Sequence, residues 1–571
     1  MSAKPIVEEL GAERVDDDTL LLYPKVDGRW PEEVTITPDE LETWFGAGRY
    51  DVPERLREEA RRIAHPSPDR PKIVITNKHL DDLRDQAIDA LLAHNSPPVL
   101  YAQGGYVAEV YATEDHTHVI RRPDRTRMRE RLSEVARWYR KATNGKKQPT
   151  KPDVDVAATL LATPALRLPP LVAVTEIPVL RPDGRFTLRH GYDPLAHVYF
   201  APSSDLGWFR DEGPVDADDV RNSLGLIDKM IGKFPFKERA DKLNALAFLL
   251  TPVLRPVIAG PTPMAAISAP MPGTGKTLLV ESIVRMLIGK APPVLRLGTD
   301  ENEVEKRITA HLKRGPQFSF LDNVPTGQTF DSAAVAAVLT STLWSGRVIM
   351  SSDMPDLPNV ATWVATGNNL SLGPELARRS YLIELDANME HPETRTFEID
   401  LPSWVPANRR DLLNATMTLV RAWTQAGMPL TDAPVLGSFE PWSRTLGGVL
   451  QTLAEQTGAD FPFLANEQRK RVETQTDVLD DTAMMLELIH EVMGDEPWTT
   501  RELINASGPG SNDMLDGLPV NRYAEGAARK LGYALRSTVK GSYGPFKLVA
   551  TDEKNASRGG RLYRVLRRPE R

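Results

Sequence analysis

The chain has 571 residues, a net charge of −8 and no cysteine. Its length suits about three or four domains with cores of their own, and the absence of cysteine excludes disulfides, Cys-ligated zinc, iron–sulfur clusters and a zinc-ribbon primase module. No stretch approaches the roughly 18 uninterrupted apolar residues of a membrane span, and the N-terminus lacks the apolar centre of a signal peptide, so a cytoplasmic protein with no membrane partner is expected.

Residues 1–65 are acidic and weakly patterned, and they suggest no function. From Pro71 the pattern sharpens: Lys72–Thr76 is strand-like, Leu80–His94 an amphipathic helix, and Val99–Val110 a hairpin turning at Gly104-Gly105. A basic run follows from Arg121 to Arg131, continued by Arg137, Arg140, Lys141, Lys146 and Lys147, with a helix predicted over about Thr126 to Thr143. Asn144–Pro152 is polar and rich in breakers, as in a linker. Helical Val154–Ala162 and strand-like segments around Val172 and Thr187 complete a mixed α/β unit over residues 66–215. His116 with His118, and Asp153 with Asp155, have the look of metal ligands. Neither pair has the supporting residues a metal site needs, so both are taken as surface positions.

A helical lead-in is predicted from Ala217 to Leu250. Apolar strands and helices then alternate from Val257 to Asp386, which predicts helices packed on a largely parallel sheet over residues 216–400. Ile399 to about Arg471 is mostly helical, suited to a lid or bundle over residues 401–476. Residues 477–571 form a segment with its own pattern.

Ser268-Ala-Pro-Met-Pro-Gly-Thr-Gly-Lys-Thr277 follows a strand-like segment and precedes the apolar Leu278-Leu279-Val280. It has the pattern of a phosphate-binding loop opening a helix, with Pro272, Gly273, Thr274, Gly275, Lys276, Thr277 and Leu278 as the cradle. Gly273 and Gly275 let the backbone N–H groups turn inward, Lys276 can reach the terminal phosphates of ATP, and Thr277 can place a hydroxyl on Mg2+. The usual Gly six residues before the Lys is here Pro270.

Downstream partners come in a fixed order. Phe318–Asn323 is an apolar strand ending in a carboxylate, placed as Walker B, with Asp322 facing Mg2+ opposite Thr277. Val360–Asn369 is a second apolar strand ending in amides, where Asn368 can contact a γ-phosphate or orient water, although Gly-Asn is also a good turn pair. Arg378 and Arg379 precede a further strand. Either can serve as a finger for a neighbouring subunit's phosphate, or the two can form an exposed ion-pairing couple.

Phosphate loop, Leu-Asp-Asn, Ala-Thr-Gly-Asn-Asn and Ala-Arg-Arg-Ser-Tyr-Leu-Ile-Glu-Leu-Asp, in that order, resemble the AAA+/superfamily-3 helicases of phages and mobile elements, including the poxvirus-type primase–helicase-like replication proteins. The resemblance covers about residues 70–475, taking in Gly191-Tyr-Asp193 and Val198-Tyr-Phe200 upstream. It implies an α/β fold with a P-loop AAA+ core, ATP and Mg2+ as cofactors, and a hexameric ring moving on single-stranded or forked DNA, with a primase or polymerase as a candidate partner in trans. It assigns the family roles to Lys276, Thr277, Asp322, Asn368 and one of Arg378 or Arg379. Many AAA+ enzymes have Asp-Glu at Walker B, whereas this chain has Asn323, which can orient a water but cannot take its proton. Glu301, Glu303 and Glu305 are alternatives, set against a solvated helix start. Ring helicases of this type often project a DNA-tracking hairpin between Walker B and the next strand, which makes Arg347 a pore candidate.

The last segment is basic, with 14 Lys and Arg against 8 Asp and Glu over residues 496–571. A helix starts at Pro497–Ile504, and a second spans Asn521–Arg536 with Tyr523, Ala527, Leu531 and Leu535 on one face. Gly544–Ala550 and Gly560–Leu566 are strands around a polar turn. Helix, helix and basic hairpin form the pattern of a winged helix, with Arg529, Lys530 and Arg536 facing a DNA groove and Arg558, Arg561 and Arg564 facing phosphate. A winged-helix protein-interaction module with a solvated basic face is the other use of that pattern. These features together predict an ATP-driven DNA helicase or replication initiator in a bacterial host's cytoplasm. The alternative is a non-unwinding AAA+ switch such as a loader, transposition regulator or defence NTPase.

Overall fold

A computed structural model describes the chain apart from residues 1–6, 8, 15–19, 26–33, 47–51, 54–55, 58–59, 61–69, 114–116, 164–165, 203–212, 299, 325–328, 347–355, 433–434, 467–481, 507–525, 540–544, 556–559 and 568–571. The chain divides into two units, residues 1–466 and 467–571. Among the described residues, no helix is long and apolar enough to cross a membrane.

The first unit is a mixed α/β structure around a parallel sheet in the order Phe318–Val324, Thr362–Asn368, Met264–Ala269, Ser380–Glu384. Every residue of Met264–Ala269 is buried, as required of a parallel strand covered on both faces. The two-residue period of the strand divides those side chains between two cores. Ala265, Ile267 and Ala269 join the helices Arg239–Leu254, Lys276–Ile288, Arg409–Gln425 and Glu440–Thr457, while Met264 and Ala266 join Glu301–Leu312 and Ala333–Leu339. Arg409, buried in the helical region after the sheet, donates to the carbonyls of Met286 and Leu287. It thereby satisfies groups that the helix Lys276–Ile288 leaves open at its end, and burial pushes its pKa down to about 10.

The lead-in differs from the single helix predicted. Ala217–Ile231 ends at Gly232, and a new helix, Arg239–Leu254, begins behind a Glu238/Asp241 capping box. Pro235 between them supplies no N–H to continue the ladder. The chain then makes a short 3-10 turn at Arg255–Val257, so the strand begins at Met264 rather than Val257. Residues 1–65, weakly patterned in sequence, hold a three-stranded antiparallel sheet of Glu9–Arg14, Leu20–Lys25 and Val34–Ile36 with its own apolar core.

In residues 66–215, helix Leu80–Ala93, the hairpin Leu100–Gln103 with Tyr106–Ala112, and helix Val154–Ala162 stand where the pattern placed them. The basic helix does not run to Thr143. It spans Arg125–Val135, Ala136 turns extended, and Arg137–Lys141 is a strand. Trp138 decides this: it is buried between the exposed Arg137 and the half-buried Tyr139, and its indole N–H donates to the Leu132 carbonyl. Part of the expected linker, Lys147–Pro149, pairs with that strand. Asp153 caps helix Val154–Ala162 by accepting from the Asp155 N–H, and His118 lies among the rings of His190 and Tyr199. His116 is outside the described residues.

Three of the six arginines in the run 121–131 turn inward on one carboxylate. Glu109, only 1% exposed, accepts from Arg121, Arg127 and Arg131. Burial alone would raise its pKa, and the three guanidinium hydrogen bonds reverse this to about 2, from an ordinary 4.5. A depressed carboxylate stabilises the fold above its unfolded value and loses that contribution as pH falls through the folded one. About 3 kcal/mol of stability is therefore expected to vanish between pH 4.5 and 2. Urea denaturation across that range should show the loss in the wild type and a flattened profile in Glu109→Gln, which should also be less stable at neutral pH.

The second unit has a three-stranded antiparallel sheet in the order Trp498–Thr499, Gly560–Arg567, Phe546–Asn555. Helical residues 482–493, Thr500–Asn505 and Ala527–Thr538 close its core through Leu486, Ile489, Leu503, Leu531 and Leu535. Thr499 caps the Thr500–Asn505 helix in a capping box with Glu502.

Candidate nucleotide site

The site lies at the C-terminal ends of the parallel strands, where the loop after Met264–Ala269 meets the ends of the two strands ordered before it in the sheet. Crevices outside those ends are where open α/β sheets bind ligands. Gly273 and Gly275 have φ of 75° and 104°, in the region that favours glycine. A side chain at Gly273 would meet Glu393, and one at Gly275 would meet the Phe234 ring. The turn is held by the Thr274 hydroxyl on the Met271 carbonyl at 2.6 Å. Helix Lys276–Ile288 begins directly after it, so its first N–H groups have no partner inside the helix. Pro272 is exposed in the turn, and Leu278 packs on the core from the first helical turn.

Lys276 Nζ donates to Asn368 Oδ1 at 2.5 Å and to the Met271 carbonyl at 3.4 Å. Burial lowers the Lys276 pKa, with Asp322 pulling the other way. Asn368 ends the strand Thr362–Asn368, and the turn after it is tied to the loop strand: Asn369 N–H donates to the Ala269 carbonyl and Leu370 N–H to Ser268 Oγ.

Asp322 stands beside Thr277, whose hydroxyl donates to Asp322 Oδ1 at 3.0 Å. Between Leu321 and Val324 the register shifts, so Asp322 and Asn323 together oppose Thr366. A bulge of this kind re-aims side chains, and bulges are over-represented next to active sites. Thr366 is a residue that motif reasoning overlooked. Its buried hydroxyl accepts from the Asn323 N–H at 3.0 Å and donates to the same Asp322 oxygen at 2.6 Å. Its only sequence signal is its place two residues before Asn368, on the same strand face. Thr366→Val is expected to cost about 1–2 kcal/mol in urea denaturation, because Asp322 loses a donor, and to raise the Mg2+ needed for half-maximal turnover. If neither value moves, Thr366 has no part in the site.

The residues present fit a magnesium nucleotide. The cradle is one that a Cβ would fill, a cation faces it, and a hydroxyl with a single carboxylate suits Mg2+, which is usually held by one or two carboxylates plus phosphate oxygens. Asn323, exposed and at φ 56°, sits beside them. Glu301 is occupied elsewhere, accepting from Ser332 and the Ala334 N–H, and Glu303 pairs with Lys306.

Arg378 and Arg379 are not at this end of the sheet. Met264 N–H donates to the Arg379 carbonyl, and strand Ser380–Glu384 runs parallel to Met264–Ala269 from there. Five strand steps, about 16 Å, separate that edge from the loop. Both guanidinium groups bond Glu375, but Arg378 is 58% exposed and Arg379 14%.

Of the other candidates, Arg347 lies outside the described residues, although the arms flanking it, Leu343–Ser345 and Asp356–Pro358, pair as a hairpin. In the second unit Arg529, Arg561 and Arg564 are exposed, Arg558 lies outside the described residues, and so do the side chains of Lys530 and Arg536.

No protein-family model and no curated protein matches the sequence. Solved structures similar to this chain include the SCCmec type IV Cch active helicase, 10% identical with a TM-score of 0.32 over 82% of this chain and 97% of that one. The A form apo NrS-1 C-terminal region is 12% identical with a TM-score of 0.29 over 80% and 96%. JCV helicase is 13% identical with a TM-score of 0.19 over 44% and 71%. All three TM-scores fall below 0.5, so functional inference rests on the residues of the site.

Proposed function

We propose that this chain is a ring-forming, ATP-dependent DNA helicase or replication initiator of a phage or mobile element, working in a bacterial cytoplasm with ATP and Mg2+. The supporting observation is the division of groups between the two ends of one sheet. Loop, Lys276, Thr277, Asp322 and Asn368 converge at one end, and the exposed Arg378 stands at the other, at the far end of the strand from the chain's own loop. A P-loop AAA+ core whose ATP sites lie between subunits of a hexamer accounts for both. The strand order of the sheet, which puts the Asn368 strand between the loop strand and the Asp322 strand, supports the same assignment.

When bound, Mg·ATP supplies the phosphoanhydride and the metal that draws charge from its oxygens. Lys276 balances negative charge at the loop, and Asn368 holds its ammonium in place. Thr277 and Asp322 share the metal position, while Thr366 fixes the Asp322 carboxylate. Asn323 orients a water through its amide and leaves the proton to another acceptor, which phosphoryl transfer tolerates because it relies chiefly on positioning and charge stabilisation. The order helix, strand, helix, helix, strand, strand in residues 482–567 supports a winged helix that contacts DNA through its exposed arginines.

Asn323 also favours a second reading, a non-unwinding switch in which nucleotide binding controls assembly. A forked duplex separates the two. Strand separation with ATP and none with a non-hydrolysable analogue is the expected result. DNA-bound assembly with both nucleotides and strand separation with neither would establish the switch.

A further inference from the structure

Arg121, Arg127 and Arg131 are spent on Glu109, but the cations after residue 135 are not. Lys72–Val74 runs parallel to Arg137–Lys141, which is antiparallel to Lys147–Pro149. The register sets Lys72 opposite Arg137, Val74 and Pro149 on either side of Tyr139, and Lys141 opposite Lys147. Residues opposite one another share a face of a sheet and neighbours along a strand do not. Ile73 and Trp138 therefore point together into the core with helices Leu80–Ala93 and Arg125–Val135. The other face carries Lys72, Arg137, Lys141 and Lys147, all exposed, around a half-buried Tyr139.

None of these four cations has a carboxylate partner among the described residues. Two like-charged pairs directly opposite one another work against the sheet, and this chain supplies an acid where its arginines are structural, as at Glu109. Unpaired cations around an aromatic ring, on the sheet face turned away from those two helices, suit a polyanion that also offers flat unstacked rings.

We propose that this face binds single-stranded DNA, the four cations meeting phosphates and Tyr139 stacking on a base. The inference shares the DNA-acting premise of the function proposed above but uses residues assigned there to nothing. Each phosphate contact on a single strand contributes about −0.7 to the slope of log affinity against log salt.

The test is fluorescence anisotropy of the full chain with a labelled oligo(dT) of about 30 nucleotides, without nucleotide, between about 50 and 200 mM KCl. Arg137→Gln/Lys141→Gln/Lys147→Gln should flatten the slope by about 2 and weaken binding at low salt at least about tenfold, with thermal melting unchanged or raised. Tyr139→Ala should weaken oligo(dT) binding about tenfold and leave blunt duplex binding as it was. Unchanged affinity and slope in the triple variant, with loss confined to Arg561→Gln/Arg564→Gln, overturn this face and leave the helicase reading standing. Equal losses on duplex with a silent Tyr139→Ala overturn the single-strand assignment. A wild type that binds no DNA overturns both readings.

Discussion

Lys276→Ala is expected to lower ATP turnover by at least about a hundredfold, the loss of about 3 kcal/mol of charge stabilisation at the transition state. The expectation rests on where the ammonium is held. It is half-buried at the mouth of the Gly273–Gly275 turn, fixed by Asn368 and carried on the first residue of a helix. Burial disfavours its charged form, and a polyphosphate opposite it would reverse that cost. The helix begins in backbone geometry set by the glycines, so alanine at 276 should leave the fold intact. Phosphate release measured alongside thermal melting separates lost chemistry from lost structure. Undiminished turnover in the variant would remove the loop from the mechanism.

Arg378→Ala is expected to cost about a thousandfold in turnover, the lower range for an arginine finger supplied by a partner, while leaving nucleotide binding in the isolated chain nearly unchanged. Arg379→Ala should behave differently. Its guanidinium is mostly covered and bonds both the carbonyl and the carboxylate of Glu375, so its loss should appear first in urea denaturation. Steady-state turnover and denaturation of both variants check the assignment. A large catalytic loss in Arg379→Ala with Arg378→Ala unaffected would exchange the two roles.

Much of the candidate site is legible in the residues because its chemistry is local. Gly-Thr-Gly-Lys-Thr sets a turn and a helix start within a few positions, and a buried apolar run ending in Asp or Asn marks a strand tip wherever it occurs. What stays hidden is tertiary. Thr366 looks like any strand threonine until the bulge at Asp322–Asn323 brings it beside the carboxylate. Phe234 and Glu393 reach the loop from segments about 40 residues before it and 120 after it, and no local pattern carries that information. The arginine run looks like an outward basic patch because Glu109, which takes up Arg121, Arg127 and Arg131, lies 12 to 22 residues earlier and meets them only once the strands have paired. Arg137–Lys141 looks like the end of a helix until Trp138 is seen turned inward.

The measurement that bears most directly on a site shared between two copies is turnover in mixtures of two inactive variants. Lys276→Ala keeps an intact Arg378, and Arg378→Ala keeps an intact loop. Mixed before assembly on DNA, they should regain a fraction of wild-type turnover, greatest near equal proportions, while each alone stays inactive. A mixture as inactive as its components, with assembly intact, would contradict a site completed by the neighbouring chain.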